Sequence, residues 1–94
     1  MFPDRLFRRL GGQNITATAT SQASNPAPPY TDAVLVVAVG QPARVSIGAA
    51  PVVAADDLVV PTNSFVVLAI SPGERVAVQR YGGTDAQTSI QFLR

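Results

Sequence analysis

Few side chains in this sequence could carry out catalysis. Its 94 residues include no His, Cys, Trp or Lys, so the reactive groups are six carboxylates, seven arginines, two tyrosines and several hydroxyls. A serine or cysteine nucleophile is usually activated by a His or Lys base, and neither residue type is present. Because no side chain is suited to act as a general base near neutral pH, the composition predicts a protein that is not an enzyme.

Asp56 and Asp57 form the only adjacent pair of acidic residues. Neighbouring residues on a strand point to opposite faces, so these two carboxyl groups could not share a proton there. Calcium takes about six to eight oxygen ligands, and no other acidic residue lies nearby in the sequence. We therefore interpret the pair as part of a solvated loop and predict no metal ion or other cofactor.

The aromatic residues are too scattered to form a base-stacking platform, and no stripe of arginines accompanies them. Tyr81, which precedes Gly82 and Gly83, is the one candidate for stacking on a sugar; the alternative is a half-buried ring at a strand end. No apolar run is long enough to span a bilayer. The sequence predicts neither a nucleic acid nor a membrane as the partner.

Short β-type runs separated by Gly and Pro fill most of the chain. Residues 15–20 alternate apolar and polar side chains, which predicts a strand with one buried face. Residues 33–39 are apolar throughout, as in a central strand or in a strand whose outer face meets another subunit. The other predicted strands are residues 44–47, 58–60, 65–70, 75–80 and 88–93.

Turn signals separate these strands. Pro72 and Gly73 occupy the positions that a type II turn requires, because Gly adopts a positive φ without strain. Residues 40–42 are predicted to join strands 33–39 and 44–47 as a β-hairpin, and residues 21–32 form a Pro-rich surface loop. Together these features predict an all-β fold, a small antiparallel β-sandwich or jelly-roll-like barrel of six or seven strands.

Residues 1–12 are predicted to form a short N-terminal arm, and residues 13–94 a single β-sandwich domain. Apolar residues recur at Phe2, Leu6 and Leu10, as on one face of a short amphipathic helix that ends at Gly11 and Gly12. So short a helix needs a surface to lie on. That surface is either its own domain or a neighbouring subunit, and in the second case the contacts are Phe2, Leu6, Phe7 and Arg9.

A small chain without disulfides or a metal site gains stability most readily by oligomerisation. Charged residues make up only 14% of this sequence, against about 25% in typical domains. We therefore expect part of its exterior to be buried against copies of itself or another protein. The predicted subunit contacts are Val34, Val36, Phe65 and Val67, on the two strands that are apolar throughout.

The order of these segments resembles a group of small virion-associated proteins of tailed bacteriophages. The residues that carry the resemblance lie between Gln13 and Arg94: Gly48, Pro51, Leu58, Pro61, Pro72, Gly73 and the segment 75–78. The resemblance implies a β-sandwich incorporated into the virion as a capsid decoration (cement) protein on the capsid surface. Its partners would be the major capsid protein or other virion proteins, and analogy with shell proteins favours a homotrimer. A tail, fibre or neck component, including a receptor- or glycan-binding module, is the alternative.

Overall fold

A computed structural model describes residues 8–94, which form eight β-strands and no helix. The strands are β1 (Arg9–Ala17), β2 (Gln22–Ala23), β3 (Ala33–Val39), β4 (Ala43–Gly48), β5 (Leu58–Val60), β6 (Ser64–Ala69), β7 (Arg75–Arg80) and β8 (Ala86–Leu93). The predicted all-β class is confirmed. The strand count exceeds the six or seven predicted, because β2 has only two residues and leaves no pattern in the sequence.

The strands form two antiparallel sheets of four strands each. The first sheet has the order β1-β8-β3-β6, and the second has the order β2-β7-β4-β5. Strands β1 and β8, β2 and β7, β3 and β6, and β4 and β5 are paired. The first strand thus pairs with the last, the second with the last but one, and so on, as in one long hairpin that bends at β4 and β5. Successive strands lie in different sheets, except that β4 and β5 share the second sheet.

The buried faces of the two sheets share one hydrophobic core. Val34, Val36 and Ile90 enter it from the first sheet, and Val45, Val76 and Val78 enter it from the second. Burying a valine side chain contributes about 1.5–3 kcal/mol to stability. The predicted one-sided burial is confirmed at Ile90 and Phe92 of β8 and at Ile15 and Ala17 of β1, which all lie in this core. The strand predicted over residues 15–20 ends at Ala17, however, and Ala19 is exposed.

The Pro-rich segment of residues 21–32 is more than a surface loop. Ser24, Ala27 and Thr31 are buried within it. Ser24 is bonded to β7 in both directions: its N–H donates to the Val76 carbonyl (2.7 Å) and its hydroxyl accepts from the Val76 N–H (3.0 Å). The segment therefore continues from β2 along β7 and belongs to the folded body.

The predicted hairpin between residues 33–39 and 44–47 is wrong. Both strands exist, but β3 lies in the first sheet and β4 in the second. Strand β3 is hydrogen-bonded to β8 on one side and β6 on the other, so it has no free edge for β4. The intervening turn, which contains Gly40 at φ 81°, carries the chain from one sheet to the other.

The predicted boundary between arm and domain at residue 12 is also wrong. Arg9, Leu10, Gly11 and Gly12 belong to β1 and pair with β8, with a bulge between Arg9 and Gly11. The Gln91 side chain lies directly over Gly12, where a Cβ atom would be 2.5 Å from its amide oxygen. Gly11 and Gly12 were predicted to end a helix; they lie instead in β1, where Gly12 allows this close approach. Residues 1–7, which hold the rest of the predicted arm, lie outside the described residues.

Candidate interaction surface

The outer face of the first sheet carries apolar side chains on two neighbouring strands, β3 and β6. Side chains alternate between the two faces of a strand, and β3 and β6 place every second residue in or against the core. The intervening residues point away from the second sheet. We call this set the apolar face: Leu35, Val37 and Val39 of β3, and Phe65, Val67 and Ala69 of β6.

The apolar face is open to solvent. Phe65 is 64% exposed, Val39 51% and Val67 42%. Antiparallel pairing sets Phe65 opposite Val37 and Val67 opposite Leu35, so these side chains form one continuous surface. Neither β3 nor β6 contains an ionisable residue. A contiguous, uncharged apolar surface of this kind is typical of a protein contact site.

The other half of the same outer face is polar. Strand β8 presents Gln87, Ser89 and Gln91, and β1 presents Asn14 and Thr16 beside them. These side chains bond to one another: the Thr16 hydroxyl donates to Gln87 (3.2 Å) and the Gln91 amide donates to Ser89 (3.2 Å). The apolar face is thus bordered by polar side chains on the β8 side and ends at the sheet edge on the β6 side.

The predicted subunit contacts divide between the surface and the core. Phe65 and Val67 lie on the apolar face, where a partner could reach them. The choice of Val34 and Val36 is corrected by the structure: both are 0% exposed and face the second sheet. Their neighbours Leu35 and Val37 occupy the outward positions that the sequence analysis missed. A run that is apolar at every position gives no indication of which residues face outward.

The predicted arm contacts are described only at Arg9. Its side chain is exposed and its Nε donates to the side-chain oxygen of Gln91 on β8. Next to it, Arg8 and Arg94 exchange backbone hydrogen bonds of 2.7 and 2.8 Å. Arg9 therefore lies at the polar edge of the first sheet. Phe2, Leu6 and Phe7 lie outside the described residues, and their contact with a neighbouring subunit stays a prediction.

The second sheet has a different outer face, with polar side chains on its central strands. Arg44 and Ser46 of β4 and Gln79 of β7 alternate with core residues. The Arg44 guanidinium lies 4.8 Å from the ring centroid of Tyr81, which follows β7 and is 52% exposed. Arg44 also donates to the backbone carbonyl of Asp57 (3.0 Å). One side of the Tyr81 ring is thus taken by an arginine of its own chain.

Three of the carboxylate side chains in residues 8–94 have partners within the chain, and two of these stabilise turns. Asp57 accepts a hydrogen bond from the Ala54 N–H (2.6 Å), and Glu74 accepts one from the Ser71 N–H (2.7 Å). Asp85 forms a salt bridge with Arg80 (3.0 Å) in which both side chains are partly exposed. Over residues 8–94, no three acidic, His or Cys side chains come together as metal ligands would. The described chain also has no helix that could cross a membrane.

Comparisons of the chain with protein families, with curated proteins and with solved structures found no match.

Proposed function

We propose that this chain is a non-enzymatic structural protein that binds another protein through the apolar face. In accordance with its resemblance to small phage virion proteins, the partner is the assembled head of a tailed bacteriophage, which the chain decorates and stabilises. The observation that carries the proposal is the solvent exposure of Phe65, Val39 and Val67 on a single uncharged surface. Leaving such a surface exposed has a cost in free energy, which a binding partner removes.

The arrangement of the strands supports the proposal at the level of architecture. We interpret the body as a β-sandwich of jelly-roll type, because it has eight strands in two sheets whose pairing is that of a rolled-up hairpin. Jelly rolls occur in viral capsid proteins and in lectins. Since one fold supports many functions, the assignment depends on the surface that the fold presents.

Stabilisation of a shell would result from burial of the apolar face across the junction between shell subunits. Separating the subunits would then also require exposing the apolar face again. A specific interface buries about 1,600 Å² in total, and a few aromatic residues near its centre usually dominate the binding energy. Phe65 is the aromatic residue of the apolar face. Because many copies would bind to one shell, even a modest binding free energy per copy would stabilise the whole shell.

A glycan- or receptor-binding role at a tail or fibre is the alternative. Tyr81 favours it, since its ring is 52% exposed at the rim of the second sheet. A sugar would have to stack on the side of the ring that Arg44 leaves open, at a site away from the apolar face.

The proposal is tested by the amount of this chain in purified phage particles, measured by mass spectrometry against the major shell protein. We expect a fixed ratio close to one copy for each shell subunit or each capsomer. A few copies per particle would instead indicate a neck, tail or fibre component. Absence from the particles would overturn the proposal.

A further inference from the structure

Two sheets have four edge strands, and three of these are poorly suited to pairing with another chain. Strand β2 has two residues and β5 has three, and Pro61 follows β5 directly. Strand β1 carries a bulge and two glycines at its start. Short edges, bulges and prolines are the features by which proteins prevent pairing between sheet edges.

Strand β6 has none of these protections. Its six residues, Ser64–Ala69, contain no charge, no Pro and no Gly. Its pairing with β3 runs without a break from Ala69 to Ser64. Within the described part of the chain, no strand covers its other side. An unprotected apolar edge either causes aggregation or is used for a specific contact.

The hydrogen bonds across the first sheet show which backbone groups of β6 are free. Arg94 and Arg8 exchange two backbone hydrogen bonds, so the N–H and C=O groups of the even-numbered residues at this end of β8 point towards β1. In an antiparallel sheet, the backbone groups of successive residues point alternately to one neighbouring strand and to the other. Odd-numbered residues of β8 therefore bond to β3, and the even-numbered Val34 and Val36 of β3 bond to β6.

The remaining groups of β6 are the N–H and C=O of Phe65, Val67 and Ala69, which point away from the sheet. The bond from the Ile70 N–H to the Asp32 carbonyl (3.2 Å) agrees with this assignment, because it directs an even-numbered residue towards β3. The residues with free backbone groups are also the β6 residues whose side chains lie on the apolar face.

We propose that two copies of this chain pair through β6, antiparallel across a twofold axis at Val67, into one continuous eight-stranded sheet. Val67 then lies opposite the same residue of the second copy, and Phe65 lies opposite the second copy's Ala69. Each of these positions turns its free N–H and C=O towards the other strand. The result is a closed dimer instead of the trimer that analogy with shell proteins favours.

The composition of β6 favours a second copy as the occupant of this edge. No charged side chain lies on β6 or β3, so two copies approach without repulsion between like charges across the pair. The register sets the largest side chain of the strand against the smallest, Phe65 against Ala69, so the two bulky rings do not meet. A strand pairing with itself in this way is self-complementary, as a twofold interface must be.

This dimer goes beyond the proposed function and does not depend on it. Pairing uses the edge of β6, while the side chains of the apolar face stay on the surface of the combined sheet. A dimer would therefore present two apolar faces side by side, whatever partner they contact.

Cysteine cross-linking of the full chain tests the pairing, because the natural sequence has no Cys. Cα atoms of a directly opposed hydrogen-bonded pair lie about 5.5 Å apart, within the range of about 4.4–6.8 Å that a disulfide spans. Under mild oxidation, we expect Val67→Cys to form a covalent dimer of twice 9.8 kDa. Phe65→Cys and Ala69→Cys should cross-link when mixed, and neither should do so alone.

The matched control is Val39→Cys, which replaces the same residue type at a somewhat more exposed position (51% against 42%) but lies on the central strand β3. It should stay monomeric on the denaturing gel. Cross-linking of Val39→Cys as fast as Val67→Cys would show random collision and overturn the proposal.

Charge substitutions provide a second test that needs no disulfide. Val67→Glu and Val67→Lys should each sediment as a monomer at a concentration where the natural chain is a dimer, because like charges would face each other at the axis. An equimolar mixture of the two should recover the dimer. A natural chain that sediments as a monomer or a trimer, or a mixture that stays monomeric while circular dichroism shows folded protein, contradicts the twofold pairing.

Discussion

At the scale of single residues, two turns depend on glycines in the left-handed region of the backbone. Gly73 has φ 86° and Gly40 has φ 81°. At Gly73 the following residue closes the turn, since the Glu74 N–H donates to the Ser71 carbonyl (3.1 Å). The type II turn predicted from Pro72 and Gly73 is thus confirmed by the positive φ that this turn requires.

Gly73→Ala should lower the free energy of unfolding by about 1–2 kcal/mol, because a Cβ atom is strained at this φ. Space is not the cause, since a Cβ at Gly73 would meet no atom within 4 Å. Gly83→Ala is the control: it has the same free space and no left-handed φ. We expect it to be neutral or to stabilise by about 0.4–1 kcal/mol. Urea unfolding measures both, and equal values would contradict this account of the turn.

The orientation of individual side chains was less predictable. Where apolar and polar residues alternate, as at Ile15 and Thr16, the sequence shows which side chain is buried, and the structure agrees. In β3 every residue is apolar, so either set of alternate residues could face the core. Pairing with β8, whose apolar and polar residues alternate, decides the matter. Val34 and Val36 lie opposite the core residues Phe92 and Ile90, so Leu35 and Val37 face outward.

At the scale of elements, the positions of several strands were predictable and their partners were not. The bounds of β3, β5 and β7 match the predicted residues, because Gly and Pro mark their ends locally. Pairing depends on residues far apart in the chain, which no local pattern specifies. This is why two correctly predicted strands, β3 and β4, were wrongly joined into one hairpin.

The segment between β1 and β3 was predicted as a surface loop, but it holds buried residues that bond to β7. Its buried Ser24 hydroxyl accepts from the Val76 N–H and donates to the Asn25 carbonyl (2.8 Å). The first bond connects this Pro-rich segment to β7, which lies between β2 and β4 in the second sheet, and the second bond lies within the segment itself.

Ser24→Ala should lower the free energy of unfolding by about 1–3 kcal/mol, because it leaves the buried Val76 N–H without this acceptor. Ser71→Ala, at an exposed turn position, is the matched control and should change stability by less than about 0.5 kcal/mol. Thermal or urea unfolding distinguishes the two. A Ser24→Ala protein as stable as the natural chain would show that the segment contributes little to the fold.

At the scale of the whole molecule, the two sheets differ in what they present to solvent. The second sheet exposes Arg44, Ser46 and Gln79, whereas the first sheet exposes the uncharged apolar face beside a polar half. The low fraction of charged residues predicts from the sequence alone that part of the exterior contacts another protein. The surface that we propose for this contact could be chosen only once pairing brought β3 and β6 together.

Binding of the purified chain to phage heads that lack it tests the central claim most directly. The two variants to compare are Phe65→Ser, on the apolar face, and Tyr81→Ser, an aromatic of similar exposure at the other site. Loss of an aromatic residue at the centre of an interface commonly costs about 2 kcal/mol or more, and about 1.4 kcal/mol corresponds to tenfold in affinity. Both proteins should stay folded by circular dichroism. The account predicts that Phe65→Ser weakens binding at least about tenfold and that Tyr81→Ser leaves it unchanged; undiminished binding by Phe65→Ser, or a loss confined to Tyr81→Ser, would contradict it.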